Sequence, residues 1–429
     1  MDKKPFKGFA FVDGGVCAAE GFIAGGVCCG LKHQALTESA EETAKAVPDT
    51  APKKNDLAMI YAEVPCTAAA MYTTNKVQGA PIAVTKAHIE DGKAQAVIVN
   101  SVNANTCNAD GVQKAEMMCK AAADALGLRP EDVIVASTGV IGQPLPIEPI
   151  VNAAPALAKS LSREGNTAAV NAIMTTDTVP KEVAVSFEIG GKTCKLGGML
   201  KGSGMIHPNM ATTLTFLTTD CAIGAALLKQ ALREVVFVTL NRVSVDGDTS
   251  TNDMVCVLAN GKAGNAPIEA EGEAYETFKD ALYTVLMNLA RMMARDGEGA
   301  TKLIECLCDG AEDDRTAEIV AKSVITSSLF KAAIFGEDAN WGRVLCAVGY
   351  APADFDIHRV GVTLGSKKGT IEVCRNGAGV PFSEETAKEI LGEEEILVHV
   401  TIGTGAGSAV AWGCDLTYDY VRINGDYRS

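Results

Sequence analysis

The stretch Lys201-Gly-Ser-Gly-Met-Ile-His-Pro-Asn-Met-Ala-Thr-Thr-Leu-Thr-Phe-Leu-Thr-Thr-Asp220 carries the decisive reading of this chain. A lysine opens a glycine turn, and a small residue, Ala211, is followed by threonine at the head of a strand-like run. A threonine hydroxyl is a weak nucleophile unless a base stands beside it, and an N-terminal threonine carries that base as its own α-amine. Such an amine titrates at roughly 7.7–8.0, so much of it is neutral near pH 7. A cut between Ala211 and Thr212 would create this arrangement with no histidine or aspartate partner. Attack of the Thr212 hydroxyl on the preceding carbonyl, followed by hydrolysis of the ester, is the plausible route to such a cut. Read alone, a threonine-rich run after a glycine turn is usually just a strand.

Around this stretch the chain reads as strands in blocks flanked by helices. Apolar or alternating runs at 95–100, 133–138, 183–189, 212–219, 360–364, 369–374 and 397–402 suit strands. Three- and four-residue spacing marks helices through Val112–Leu126, Leu227–Val235, Phe278–Leu289 and Ala317–Val324. Blocks of this kind favour sheets stacked face to face under helices over a strictly alternating βα barrel. Residues 35–56, polar and rich in Ala, Thr, Glu and Lys, read as a surface excursion with a short helix. Gly403-Thr-Gly-Ala-Gly407 follows a strand but lacks the spacing of a dinucleotide loop, and reads as a tight turn.

Composition narrows the functional classes. With 429 residues the chain can hold two lobes or one layered body. A formal net charge of −15 argues against a nucleic-acid partner, whose phosphates demand a basic face. The 14 cysteines form no CxxC pair and sit mostly in apolar runs, such as Cys28-Cys29, Cys119, Cys256 and Cys346, so they read as reduced, buried thiols of a cytoplasmic protein. His33, His88, His207, His358 and His399 lie far apart, and neither a metal site nor a Ser-His-Asp triad is visible. No signal-peptide h-region opens the chain and no run reaches membrane-spanning length, so no membrane association is expected.

Further stretches, in order along the chain, carry a resemblance. They are GFIAGGVCCGLK from Gly21, NSVNANTCNADG from Asn100, ASTGVIG from Ala136 and AIMTTDTVPK from Ala172. After Thr212 come SVDGDTSTND from Ser244, ARDGEGATK from Ala294, FGEDANWGR from Phe335 and AWGCDLTYDYVRINGDYRS from Ala411. Together with the Lys201–Asp220 segment they resemble the ornithine acetyltransferase family, the bifunctional glutamate N-acetyltransferases of arginine biosynthesis. The resemblance implies an α+β fold: an α/β/β/α sandwich like that of N-terminal-nucleophile enzymes, of separate topology. It implies autoprocessing at Ala211–Thr212, with segments 1–211 and 212–429 intertwined, and a heterotetramer of two copies of each.

The resemblance also assigns roles. Thr212 becomes the nucleophile that takes the acetyl group of N-acetylornithine and passes it to glutamate, with acetyl-CoA a possible donor in some members and no cofactor or metal. Thr138 and Gly139, at the end of an apolar strand where a hydroxyl and an N–H can converge, become the oxyanion hole. Lys201 becomes the cation for a substrate carboxylate. Thr175 (or its neighbour Thr176), Glu298 in its glycine-flanked turn, Asn424 and the terminal Ser429 become substrate contacts. Without the resemblance, Thr138-Gly139 is a strand end, Lys201 solvated surface, Thr175-Thr176 a helix stop capped by Asp177, and Glu298 part of a helix C-terminal turn. Four departures stand out: the 35–56 loop where the family usually has a shorter one, Thr213 where it more often has Met, Gly425 where it often has Ala, and Val102 in place of a glycine. Val102 cannot easily take a positive φ, so the loop at 100–105 is expected to differ locally. The tail from Tyr418 is too apolar and aromatic to read as a loose end. The competing activity is an N-terminal-nucleophile amidohydrolase or aminopeptidase of the same architecture, distinguished by using water instead of glutamate. An unprocessed binding protein would require the Ala211–Thr212 bond to stay intact.

Overall fold

The computed structural model describes residues 2–32, 54–207 and 213–426. Strands β1 (Ala10–Val12), β2 (Phe22–Val27), β3 (Leu57–Tyr72), β4 (Lys93–Asn100), β5 (Val133–Ser137), β6 (Lys181–Ile189), β7 (Lys192–Lys201) and β8 (Leu214–Thr219) come first. After β9 (Val243–Ser244), which belongs elsewhere, β10 (Met254–Ala259) completes a first sheet in the order β1-β6-β7-β8-β10-β3-β4-β5, with β2 beside β3.

The long strand β3 organises this sheet. Its first half pairs with β2 on one side and β4 on the other, and its second half with β10. The register against β4 shifts between Tyr61 and Cys66, a bulge that contains Pro65, which cannot donate to a ladder. On either side of that bulge the sheet behaves as two layers. Ala58 and Ile60 of one half share a buried cluster with Phe216, Met254 and Cys256 of the other.

The outer faces are covered separately. Helices α1 (Ala80–His88), α2 (Gly111–Leu126) and α3 (Glu148–Ser160) bury Met59, Ile98 and Val135 under Met118, Ala122 and Ile150. Helix α4 (Asn166–Ile173) lodges in the cluster between the halves. Helices α5 (Ala225–Val238) and α6 (Glu273–Arg295) cover Val185, Leu217 and Val257 with Leu232, Leu282 and Leu289. The layers thus run helix, sheet, sheet, helix: the α/β/β/α sandwich that the resemblance implied.

A second sheet lies wholly after residue 212: β9, β11 (Leu303–Ala311), β12 (Gly361–Ser366), β13 (Gly369–Arg375), β14 (Ala378–Gly379), β15 (Glu395–Thr401) and β16 (Gly407–Cys414). Helices α7 (Asp314–Thr326), α8 (Ser328–Phe335), α9 (Trp341–Gly349) and α10 (Glu384–Leu391) bury one apolar core against it. Asp313, Ser327, Asn340 and Ser383 cap these helices, each side chain accepting the N–H three residues on. A terminal helix α11 (Tyr418–Asp426) ends the described chain.

Strand β8 is interior: it pairs antiparallel with β7 and parallel with β10, and all six of its residues are buried. A strand covered on both faces must satisfy its hydroxyls internally. Thr218 accordingly donates to the Val16 carbonyl and Thr219 to that of Lys195. The sheet therefore mixes chain from before and after residue 212.

Some expectations hold and one needs correction. The aromatic tail is no loose end: it is helical and the Tyr418 ring stands edge-on to Phe335 at 5.7 Å, although Tyr418 is 84% exposed and Val421 69%. Cys346 is exposed, as is Cys107, whereas Cys119 and Cys256 are buried as expected. The surface excursion at 35–56 lies outside the described residues up to 53. Its last residue, Asp56, is fully buried and accepts the N–H groups of Cys29 and Lys32. Residues 403–407 do form the turn between β15 and β16. No described helix is long and apolar enough to cross a membrane.

Candidate functional site

A cleft of about 210 Å³ opens where the ends of β5, β7 and α6 meet the turn before β10 and the terminal helix α11. Thr138, Gly139, Thr175, Thr176, Lys201, Glu298 and Asn424 all line it. Every described residue singled out by the resemblance therefore faces one space. Ala211, Thr212 and Ser429, which carry the proposed cut, nucleophile and terminal contact, lie outside the described residues.

Strand β5 ends at Ser137, and the turn that follows is held by its neighbours. The Thr138 N–H donates to the Asn100 carbonyl at 3.0 Å, and the Val140 N–H to the Val102 carbonyl at 3.0 Å. Gly139 between them has φ +126°, and a Cβ there would sit 2.0 Å from the Val102 oxygen. Only glycine fits. The Gly139 N–H and the Thr138 hydroxyl have no bonding partner among the described residues. Val102 is accommodated without a positive φ; the left-handed positions of this loop are Asn105 and Cys107.

Lys201 is the last residue of β7, and the backbone beyond it is tied down by Asp177. Asp177 accepts the Gly202 N–H on Oδ1 at 2.8 Å and the Thr175 N–H on Oδ2 at 3.0 Å. Its Oδ1 also takes the ammonium of Lys181 at 2.7 Å, a fully buried lysine that bonds Asp296 as well. Burial alone would push the Asp177 carboxyl up. The charges of Lys181 and Lys201, with bonds from Lys181 and Gly202, outweigh it and hold the group well below the usual carboxylate range. Asp177 does more than cap a helix stop: it fastens two cleft segments to one anion.

Helix α6 stops at Arg295, and Glu298 follows in a turn whose N–H bonds the Ser203 carbonyl at 3.0 Å. A Cβ on Gly204 would lie 2.3 Å from the Glu298 carboxyl carbon, so this glycine leaves room for the carboxylate. Asn424 of α11 donates to Glu298 Oε2 at 2.8 Å. The head of β8 is adjacent. Lys201 pairs with Leu214, and Met254 donates its N–H to the Thr213 carbonyl at 2.8 Å. The Thr213 side chain is buried and shares a hydrogen bond with Thr215 Oγ1 at 2.7 Å.

The sequence reading missed three cleft residues, Ser250, Thr251 and Asn252, although it quoted their motif. It also missed Asp253, whose Oδ2 has no partner among the described residues and whose carboxyl burial pushes well above the usual range. The motif marked the segment as shared but gave no chemistry to its amide and hydroxyls.

The cleft offers one ammonium, one carboxylate and an unengaged pair of donors in a space suited to a small polar molecule. The ArgJ family profile matches residues 41–429. The arginine biosynthesis bifunctional protein of Symbiobacterium thermophilum is 50% identical over 417 residues, covering 97% of this chain and 99% of its own. The solved arginine biosynthesis bifunctional protein of Bacillus halodurans is 44% identical and covers 49% of this chain and 97% of its own, with a TM-score of 0.47. A solved ornithine acetyltransferase from Mycobacterium tuberculosis, complexed with ornithine, is 32% identical, covering 47% and 100%, with a TM-score of 0.41. With its profile match and half-identical full-length relative, the chain belongs to the ArgJ family of bifunctional arginine-biosynthesis enzymes.

Proposed function

We propose that this enzyme transfers the acetyl group of N2-acetylornithine to glutamate through an acetyl ester on Thr212. The convergence of Thr138, Gly139, Thr175, Lys201, Glu298 and Asn424 on one cleft beside the head of β8 carries this reading. Autocleavage between Ala211 and Thr212 frees the α-amine that serves as base. Thr212 Oγ attacks the acetyl carbonyl while the amine takes its proton. The oxyanion is met by the Thr138 hydroxyl and the Gly139 N–H, the donors left unengaged. The amide C–N bond then breaks, the proton returns to the departing amine, and ornithine leaves. Glutamate attacks the ester with its own amine by the same steps in reverse.

Lys201 holds the substrate α-carboxylate as a point charge. Glu298, steadied by Asn424, faces a substrate amine, and Thr175 and Ser429 complete the pocket. Acetyl-CoA would serve as an alternative donor to glutamate at the same nucleophile. The assembly is a heterotetramer of two 1–211 and two 212–429 chains, working in the cytoplasm.

Intact-mass measurement beside a Thr212→Ala variant tests the first step. Two fragments meeting at Ala211–Thr212, absent from the variant, support the activated threonine; a chain that stays whole in fresh and aged wild type overturns it. Acetyl transfer is then assayed from N2-acetylornithine with and without glutamate. Release of free acetate that ignores glutamate would mark a hydrolase instead.

A further inference from the structure

The side chain of Asn252 lines the cleft yet has nothing left to give a ligand. Its Nδ2 donates to the Ala104 carbonyl at 2.6 Å and to the Ser137 carbonyl at 2.9 Å. Its Oδ1 accepts from the hydroxyls of Thr106 at 2.6 Å and Thr251 at 2.7 Å. A primary amide has two donors and two acceptor lone pairs, and all four are used. The residue is buried, with 6% exposure.

These partners are placed on either side of Gly139. The Ser137 carbonyl belongs to the peptide whose N–H, that of Thr138, is bonded to Asn100, so that peptide plane is pinned at both ends. Ala104 donates its N–H to the Val140 carbonyl at 2.9 Å, and Thr106 accepts the Gly142 N–H at 3.0 Å. Asn252 therefore fixes the peptide before Thr138 directly and the peptides after Gly139 through the loop at 104–106. Between the bonded N–H groups of Thr138 and Val140, the Gly139 N–H has no partner among the described residues.

Resting on the function proposed above, we infer that Asn252 is a positioning residue for the oxyanion donors. From the segment after Thr212 it sets the aim of Thr138 and Gly139 on the segment before it. An amide is required here. In Asn252→Asp the two bonds to carbonyl oxygens become repulsions between oxygens, while the two hydroxyl bonds survive. A misplacement near 1 Å at a reacting centre costs on the order of 10²-fold in rate.

The test is steady-state acetyl transfer from N2-acetylornithine to glutamate by wild type, Asn252→Asp and Thr106→Val, with cleavage followed by mass and folding by thermal midpoint. The expected result is a kcat lower by about 10²-fold in Asn252→Asp, with KM for both substrates little changed. Thr106→Val, which removes one of the four bonds, should show a smaller fall of the same kind. Should Asn252→Asp fail to fold or to be cut, Thr106→Val carries the test alone. Variants that keep wild-type kcat, or that raise KM at constant kcat, overturn the inference. A wild type that transfers no acetyl group overturns the proposed function instead.

Discussion

Asn424 donates its side-chain amide to Glu298 Oε2 at 2.8 Å, across 126 residues of sequence. Only one oxygen of the carboxylate is taken by this bond, and the other is available to a ligand in the cleft. Helix α11 has no buried residues, and it is held by such polar contacts, by Tyr418 packing edge-on to Phe335 and by its approach to the turn at Gly299.

Asn424→Ala should therefore weaken substrate binding more than chemistry. A hydrogen bond to a charged group is worth about 1.5–3 kcal/mol when made. With α11 at the surface the lower end applies, and KM is expected to rise roughly tenfold with kcat little altered. Initial-rate kinetics with each substrate varied in turn decide it; a fall in kcat at constant KM would assign Asn424 a different role.

Gly139→Ala should be the most damaging small change in the cleft. The new methyl group meets a backbone carbonyl, which cannot swing aside as a side-chain tip can, and φ +126° is itself hostile to alanine. Strain of this sort costs about 1–3 kcal/mol of stability. The rate should drop by about 10²- to 10³-fold as the N–H is displaced. Urea melts and single-turnover acetylation measure the two separately.

Asp177→Asn should destabilise the protein in a pH-dependent way. The native carboxyl lies below its unfolded value, so the stability it contributes is present above about pH 4 and lost as pH falls through the folded value. Removing one member of a buried ion pair costs about 3–5 kcal/mol. The gap in urea midpoint between wild type and variant should be wide near neutrality and close as the pH drops below about 4. A gap that widened in acid would refute the assignment.

Thr213→Val should leave both cleavage and transfer in place. The Thr213 hydroxyl is spent on Thr215 in the interior, so it does not compete with Thr212 for the carbonyl of Ala211. Intact mass of the variant would show the same two fragments as wild type; an uncut chain would show that Thr213 takes part.

Much of the layered fold was legible because buried strands and amphipathic helices announce themselves by period. Val183, Val185, Phe187 and Ile189 alternate in the sequence and lie in one core in the structure. Strand β3 escaped notice: its alanines have low strand propensity and Pro65 interrupts it, so only pairing with β2, β4 and β10 reveals it. In the cleft, Thr138-Gly139, Lys201 and Glu298 were legible through the resemblance, not through spacing. Asp177 was legible only as a local cap, and Lys181 and Asn252 were not legible, because each bonds a partner 115 residues away, Asp296 and Ser137. The tail's aromatic content does signal an ordered end, a helix with Tyr418 edge-on to Phe335, but not burial.

The interior place of β8 has a mechanical consequence. A chain severed just ahead of it would gain two new ends without gaining a seam, since β7 holds the strand along one edge and β10 along the other. The halves would be inseparable by dilution and would come apart only when the whole sheet melts, so a single scission could arm a nucleophile without loosening the body that aims it.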